Sequence, residues 1–407
     1  MSETVVTFER FNQQLKAKNN PHLFDLTALP PLSLYVHIPW CVRKCPYCDF
    51  NSHEIRDSVP ERDYLNALFA DLEQELPHIW GRKVISVFIG GGTPSVLSPE
   101  IINELITGLR SRLAIIPQAE ITLEANPGTV DNARFKGYLE AGINRLSLGI
   151  QSFNDDFLQS LGRIHGREEA IKAIEMVTLS GFKNFNIDLM FGLPAQTEKQ
   201  ALDDLKIALA YQPPHLSWYQ LTIEPNTLFH RRPPPLLPED DDLWTIQTIG
   251  QSYLKESGYL HYEVSAYAKP NQRCRHNVNY WQFGDYIGIG AGAHGKISNA
   301  QLGRIIRYSK QRHPQRYLAT ASTAQVRVDE RELTHKEVCL EFMLNALRLH
   351  DGFTKSQFMA YTGVAFDKVE PALGEAMAKE WLERIGDHYF PSETGRLFLN
   401  DLLALFL

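Results

Sequence analysis

The chain has 407 residues, with 41 Lys and Arg against 48 Asp and Glu and a formal net charge of −7. That acidic balance argues against nucleic acid as the main partner, five cysteines are too few to staple a chain this long, and no apolar run reaches the ~18 residues a transmembrane helix needs. A single hydrophobic core stops growing at roughly 250 to 300 residues, so two structural units are expected, in a soluble protein of a reducing, cytoplasmic compartment.

Residues 1–31 are polar, carry Glu3 and Glu9 instead of an apolar leader, and end in Leu29-Pro30-Pro31, which reads as an N-terminal arm. A short apolar strand, about Leu32 to Ile38, then runs into Cys41-Val42-Arg43-Lys44-Cys45-Pro46-Tyr47-Cys48, a C-x3-C-x2-C array. Three thiolates on one loop can hold three irons of a four-iron cluster and leave the fourth open for a ligand that is not protein. The array also reads as three unrelated thiols, or as a zinc site short of its fourth ligand. Structural zinc loops, however, usually bring their cysteines in C-x2-C pairs.

Strand and helix patterns then alternate. Apolar, β-branched runs fall near Val84–Ile89, Ile121–Glu124, Arg145–Leu148, Phe185–Leu189 and Leu216–Leu221, with amphipathic stretches between them. With the first strand they make six β/α units, an α/β parallel sheet that closes only part of an eight-stranded barrel. In such barrels the strand C-termini carry the site. Candidate residues recur there: Gly91, Gly92 and Thr93 in the glycine-rich turn, then Glu124, Gln151, Arg163 and Asp188. Glycines let a backbone approach a ligand closely, and the carboxylates can accept hydrogen bonds from an ammonium or a ribose. Each of these residues alone also reads as a turn or a surface polar residue.

The Pro-rich stretch from Arg231 to Pro238 breaks the rhythm and reads with the acidic run Glu239–Asp242 as a solvated connector. A helix is expected from about Asp242 to Ser257, then a segment rich in Tyr, Trp, Gly and His that contains His276-Asn277-Val278-Asn279-Tyr280-Trp281. Imidazole is a common axial ligand of haem iron, and Tyr280 and Trp281 supply flat apolar faces. Arg273 and Arg275 could pair with propionates, and Cys274 is a competing soft ligand. A His followed by aromatics also reads as a packed core histidine. The expected division is a core over 32–294, a connector over 295–333 and a helical, winged-helix-like unit over 334–407. Its last helix is expected to end at Leu407. Glu370, Glu375, Glu380 and Glu383 give that unit no basic face for DNA.

Together these segments resemble the oxygen-independent coproporphyrinogen III oxidase (HemN) group of the radical S-adenosylmethionine (SAM) proteins, from Tyr35 to past His294. The resemblance implies that Cys41, Cys45 and Cys48 hold a [4Fe-4S] cluster. It also implies that Tyr35, Tyr47, Gly91, Gly92, Thr93, Glu124, Gln151, Arg163 and Asp188 line a SAM site. Two departures select a branch. The oxidases carry a further cysteine two residues past the third, where this chain has Phe50, and His276–Trp281 resembles the H-N-x-x-Y-W motif of the HemW branch, whose members are regarded as haem chaperones. The resemblance therefore implies haem as a third ligand, bound by His276, Tyr280 and Trp281, and an acceptor haem protein, such as a membrane-bound cytochrome met at the membrane surface. A homodimer is compatible with it. Whether the chain also catalyses a reaction stays open, the alternative being a radical SAM enzyme acting on a tetrapyrrole.

Overall fold

The computed structural model describes residues 23–407, so most of the expected arm over 1–31 lies outside the described residues. The six expected parallel strands are present: β1 (Leu32–Ile38), β2 (Lys83–Gly91), β3 (Ala114–Ala125), β4 (Arg145–Gln151), β5 (Phe185–Phe191) and β6 (His215–Gln220). They pair side by side in chain order, all parallel. Helices Glu61–Glu75, Pro99–Arg112, Asn132–Glu140, Arg167–Leu179 and Glu198–Ala210 form the crossovers. Each strand is covered on its helix side, which explains its nearly continuous apolar run. Leu34, Val36 and Ile38 of β1 are fully buried, and each such side chain contributes roughly 1.5–3 kcal/mol.

The helix starts are written into the sequence. Ser98 accepts from the Ile101 N–H at 3.4 Å with Pro99 at the first helical position, and Thr197 and Gln200 form a reciprocal capping box.

The sheet continues well beyond six strands. β7 (Leu260–Glu263) and β8 (Ala266–Ala268) extend it antiparallel past β6, while β9 (Asp285–Ile289) adds parallel to β1. Residues 295–333, expected as a connector, instead supply most of β10 (His294–Asn299) and all of β11 (Arg304–Lys310) and β12 (Arg327–Glu332). These complete a twelve-stranded sheet in the order β12-β11-β10-β9-β1-β2-β3-β4-β5-β6-β8-β7. Buried charges weld this extension to the core. Lys310 Nζ lies 2.5 Å from both Asp71 and Glu75 on helix Glu61–Glu75, and Lys296 Nζ lies 2.9 Å from Asp285.

The C-terminal residues have their own apolar core around Phe342, Phe358, Leu373 and Tyr389, into which Phe24 and Leu26 also pack. Helices His335–Ala346, Lys355–Thr362 and Glu370–Ala378 surround a small sheet in which Leu382–Ile385 pairs antiparallel with His388–Pro391, the expected hairpin. The expected single closing helix is instead two short ones, Glu393–Leu397 and Leu399–Ala404, broken at Phe398.

Candidate functional site

All the strand-end residues gather at one mouth of the barrel. β1 and β2 stay paired past their last strand residues: the Gly92 N–H donates to the Ile38 carbonyl and the Thr93 N–H to the Trp40 carbonyl, each at 2.7 Å. The glycine-rich turn is thereby pinned against the start of the cysteine loop. Gly91 has φ +117°, and a Cβ there would lie 2.6 Å from the His37 ring, so both conformation and space demand glycine.

All five cysteines are free thiols. Burial raises the Cys41 and Cys48 thiols above the usual range, yet each sulfur of the loop has a hydrogen-bonding neighbour. Thr93 Oγ1 donates to Cys41 at 3.4 Å, Arg163 Nη1 to Cys45 at 3.6 Å, and Ser52 Oγ lies 3.9 Å from Cys48. Thiolates here are favoured by nearby positive charge, which Arg163 begins and iron would complete. Among the described residues no three His, Cys, Asp or Glu side chains converge as a single ion requires.

Eleven of the twelve residues expected for cluster and SAM line a single cavity of about 500 Å³: the three cysteines with Tyr47, Gly91, Gly92, Thr93, Glu124, Gln151, Arg163 and Asp188. Glu124 accepts from the Gly91 N–H at 3.1 Å. Enclosure first, and then the negative charge of Asp188, push its carboxyl up to about 8. Asp188 is raised by burial too, although Asn186 Nδ2 at 2.7 Å and Ser147 Oγ at 3.2 Å donate to it. Burial thus disfavours negative charge on both acids, and a cation placed between them would favour it. Gln151 accepts from the Tyr219 hydroxyl at 2.7 Å and holds a left-handed backbone, φ 72°, at a register shift between β4 and β5. For a residue with a Cβ that conformation is uncommon.

Tyr35 is the exception. It lines a second cavity of about 830 Å³ together with His276, Tyr280, His37, Tyr286 and Tyr308. The short helix Arg275–Trp281 straddles the two spaces, because Trp281 faces the first cavity with the Arg348 guanidinium 4.4 Å above its ring. Phe50 lines both and is exposed. His276 Nδ1 lies 3.2 Å from Ser86 Oγ, which is 2.7 Å from Ser33 Oγ, which in turn accepts from Asn279 Nδ2 at 2.8 Å. The ring lines the second cavity, and only Nδ1 has a side-chain partner among the described residues. Burial, with a lesser push from Arg145, lowers the imidazole to about 3, so it is neutral and able to coordinate a metal at ordinary pH.

Three sequence expectations in this segment fail. Arg275 turns outward to the Gln118 carbonyl at 2.8 Å, and Arg273 pairs with Asp351. Neither lines the second cavity. Cys274 is buried beside Glu120, its Sγ 3.5 Å away, and burial pushes its thiol up to about 12, so it offers no thiolate. The structure also adds residues that sequence reasoning missed. Ser217 and Tyr219 alternate with buried Leu216 and Trp218 along β6 and could have been read from period-two alternation. Arg348 and Glu263, 2.6 Å apart, come from two remote elements and left no local signal.

The chain is similar to known proteins over most of its length. Residues 35–208 match the model of the Radical SAM superfamily and residues 333–398 that of the HemN C-terminal domain. The chain is 50% identical over 382 residues to "Heme chaperone HemW" of Escherichia coli, covering 94% of this chain and all of that protein. It is 50% identical to the protein of that name in Haemophilus influenzae, covering 93% and 98%, and 33% identical to that in Bacillus subtilis, covering 92% and 99%. Among solved structures, the coproporphyrinogen III oxidase HemN of Escherichia coli superposes with a TM-score of 0.78 at 24% identity, covering 93% of this chain and 90% of that one. At that identity the likeness establishes the fold.

Proposed function

Since the chain belongs to the heme chaperone HemW family, with a radical SAM domain and a HemN C-terminal domain, we propose that it takes up haem and passes it to an acceptor haem protein. The observation that carries this reading is the pair of adjoining cavities, one lined by the three thiols and the carboxylates, the other by a neutral imidazole among aromatic rings. In this reading Cys41, Cys45 and Cys48 hold a [4Fe-4S] cluster, with Thr93 and Arg163 supporting the sulfurs. Glu124 and Asp188 receive the cationic end of SAM, and Gly91 and Gly92 bring bare backbone alongside it. When bound, cluster and SAM supply one-electron chemistry. His276 offers Nε2 to haem iron while Ser86 fixes its ring, the arrangement of a metal-ligating histidine with an oriented second nitrogen. Tyr280 supplies an apolar face, and Trp281 borders the cofactor side.

No helix among the described residues is long and apolar enough to cross a membrane. In the proposed cycle the protein works in the cytoplasm and meets its acceptor, a membrane-bound cytochrome being one candidate, at the membrane surface. A homodimer is compatible with that cycle.

The test is haem titration of the anaerobically reconstituted protein. The parent should develop a Soret band, and His276→Ala should lose that spectrum at least tenfold in affinity while keeping its iron–sulfur absorption. Haem bound unchanged by the variant would remove His276 from the site. Conversion of coproporphyrinogen III with release of 5′-deoxyadenosine by the parent would replace the chaperone with an enzyme.

A further inference from the structure

The second cavity is built asymmetrically. Its inner wall is aromatic and holds His276, whereas its outer rim carries the cations Arg307, Arg312 and Arg331 and the acids Asp49, Asp329 and Glu341. At about 830 Å³ it falls within the range of small-molecule sites, and a concave apolar space with a few polar groups at one side is what fixes the orientation of a ligand that is apolar at one end and charged at the other.

The rim charges are not equivalent. Arg307 is spent within the protein: Nη1 donates to the Tyr286 hydroxyl at 2.6 Å, and Nη2 lies 2.7 Å from Glu341. Arg331 pairs with Glu337 and with the same Glu341. Asp329 accepts from Ser309 Oγ at 3.1 Å. Arg312 differs from its neighbours. Its backbone carbonyl is fastened by Asn51 Nδ2 at 2.8 Å, which fixes where the side chain starts, while its exposed guanidinium makes no ion pair among the described residues. Asp49 and Asp329 repel an incoming carboxylate from their parts of the rim, so Arg312 is the place on it where one is favoured.

We propose that this rim recognises the tetrapyrrole by its carboxylates, with Arg312 as the residue that pairs with them while His276 meets the metal. This rests on the haem reading above and deepens it. It places the charged edge of the macrocycle at the solvent side and the apolar edge against Tyr35 and Tyr280. A guanidinium and a carboxylate form charge-assisted hydrogen bonds whose fork geometry suits one another. Removing such a partner at a half-exposed rim is expected to weaken binding about tenfold.

The experiment compares ferric protoporphyrin IX with its dimethyl ester, in which metal and ring are unchanged and both carboxylates are blocked. Each probe is titrated by its Soret band into the parent protein, Arg312→Gln, Arg312→Lys and His276→Ala, with thermal melting as the check that every variant folds. The parent should prefer the free diacid about tenfold. Arg312→Gln should lose that preference by binding the diacid more weakly and the ester as before, and Arg312→Lys should recover part of it. His276→Ala should weaken both probes alike. Equal binding of the two probes by the parent, or an undiminished preference in Arg312→Gln, overturns the rim assignment and leaves the haem reading standing. A parent that binds neither probe overturns both.

Discussion

At the scale of single residues, the chemistry of the first cavity turns on one proton. Glu124, with a pKa near 8, is protonated at neutral pH although an ordinary carboxyl is not. A cation placed against it favours the charged form and lowers that pKa, so cation binding must expel the proton. SAM binding between pH 6 and 7 is therefore expected to release close to one proton per ligand, with the release fading above pH 8 where the free site is already ionised. Calorimetry in buffers of different ionisation enthalpy measures this directly. Glu124→Gln should abolish most of the release and weaken SAM, whereas an unchanged proton count would assign the titration elsewhere. Glu124, singled out in the sequence as a strand-end candidate for the SAM site, lines the first cavity because strand ends point into a barrel mouth. Tyr35, expected with the same set, lines the second cavity while still feeling the charge of Glu124. Ser33 and Tyr35 alternate with the fully buried Leu34 and Val36, and their hydrogen bonds run to Ser86 and to His37, on the side of the barrel that opens into the second cavity. Period-two reasoning gives the face but not which half of the barrel that face overlooks.

At the scale of elements, sequence reasoning found what local chemistry encodes. The six parallel strands, the crossover helices and the C-terminal hairpin each carry their own period, caps or turn residues. The closing helix failed because its apolar run continues across Phe398, where the backbone leaves helical geometry at φ −103° and ψ 38°. Composition does not register such a break. Helix His335–Ala346 is a clearer case. Thr334 accepts from the Glu337 N–H at 3.3 Å, and Glu337 returns a bond to the Thr334 N–H at 2.8 Å. This helix carries Glu341, and Arg348 follows just beyond its end, so it furnishes one wall residue to each cavity. Thr334→Ala should lower the unfolding free energy by about 1 kcal/mol in urea, with a matching loss from Glu337→Ala and little further loss in the double variant. Full additivity would mean that the two residues do not act as one cap.

At the scale of the whole molecule, the stretch read as a connector was misjudged because its strands hide their burial behind charge. Lys296 and Lys310 are almost wholly enclosed, Lys296 against Asp285 on the neighbouring strand and Lys310 against Asp71 and Glu75, which lie far away along the chain. Nothing in the local pattern distinguishes such a lysine from a solvated one. The consequence is that β10 to β12 belong to the same body as the barrel and form the far wall of the second cavity. Asn51 joins that wall to the cysteine loop three residues after Cys48. Its side-chain amide donates to the carbonyls of Ala291 at 2.9 Å and Arg312 at 2.8 Å, and its own carbonyl accepts from His37 Nε2 at 2.9 Å. The opposing turn leaves room for this only because Gly292 has no side chain: a Cβ there would sit 2.3 Å from the Asn51 amide. In the proposed reading, stiffening of the thiol loop by a bound cluster would be felt in the second cavity, and thermodynamic reciprocity requires the converse to the same factor. If filling the loop tightens haem about fivefold, haem must raise the equilibrium retention of iron against a chelator about fivefold, and Asn51→Ala should bring both ratios to one together. Cluster and haem would then report on each other's presence, so that a chaperone lacking its cluster would release haem readily and a loaded one would keep it until an acceptor intervenes.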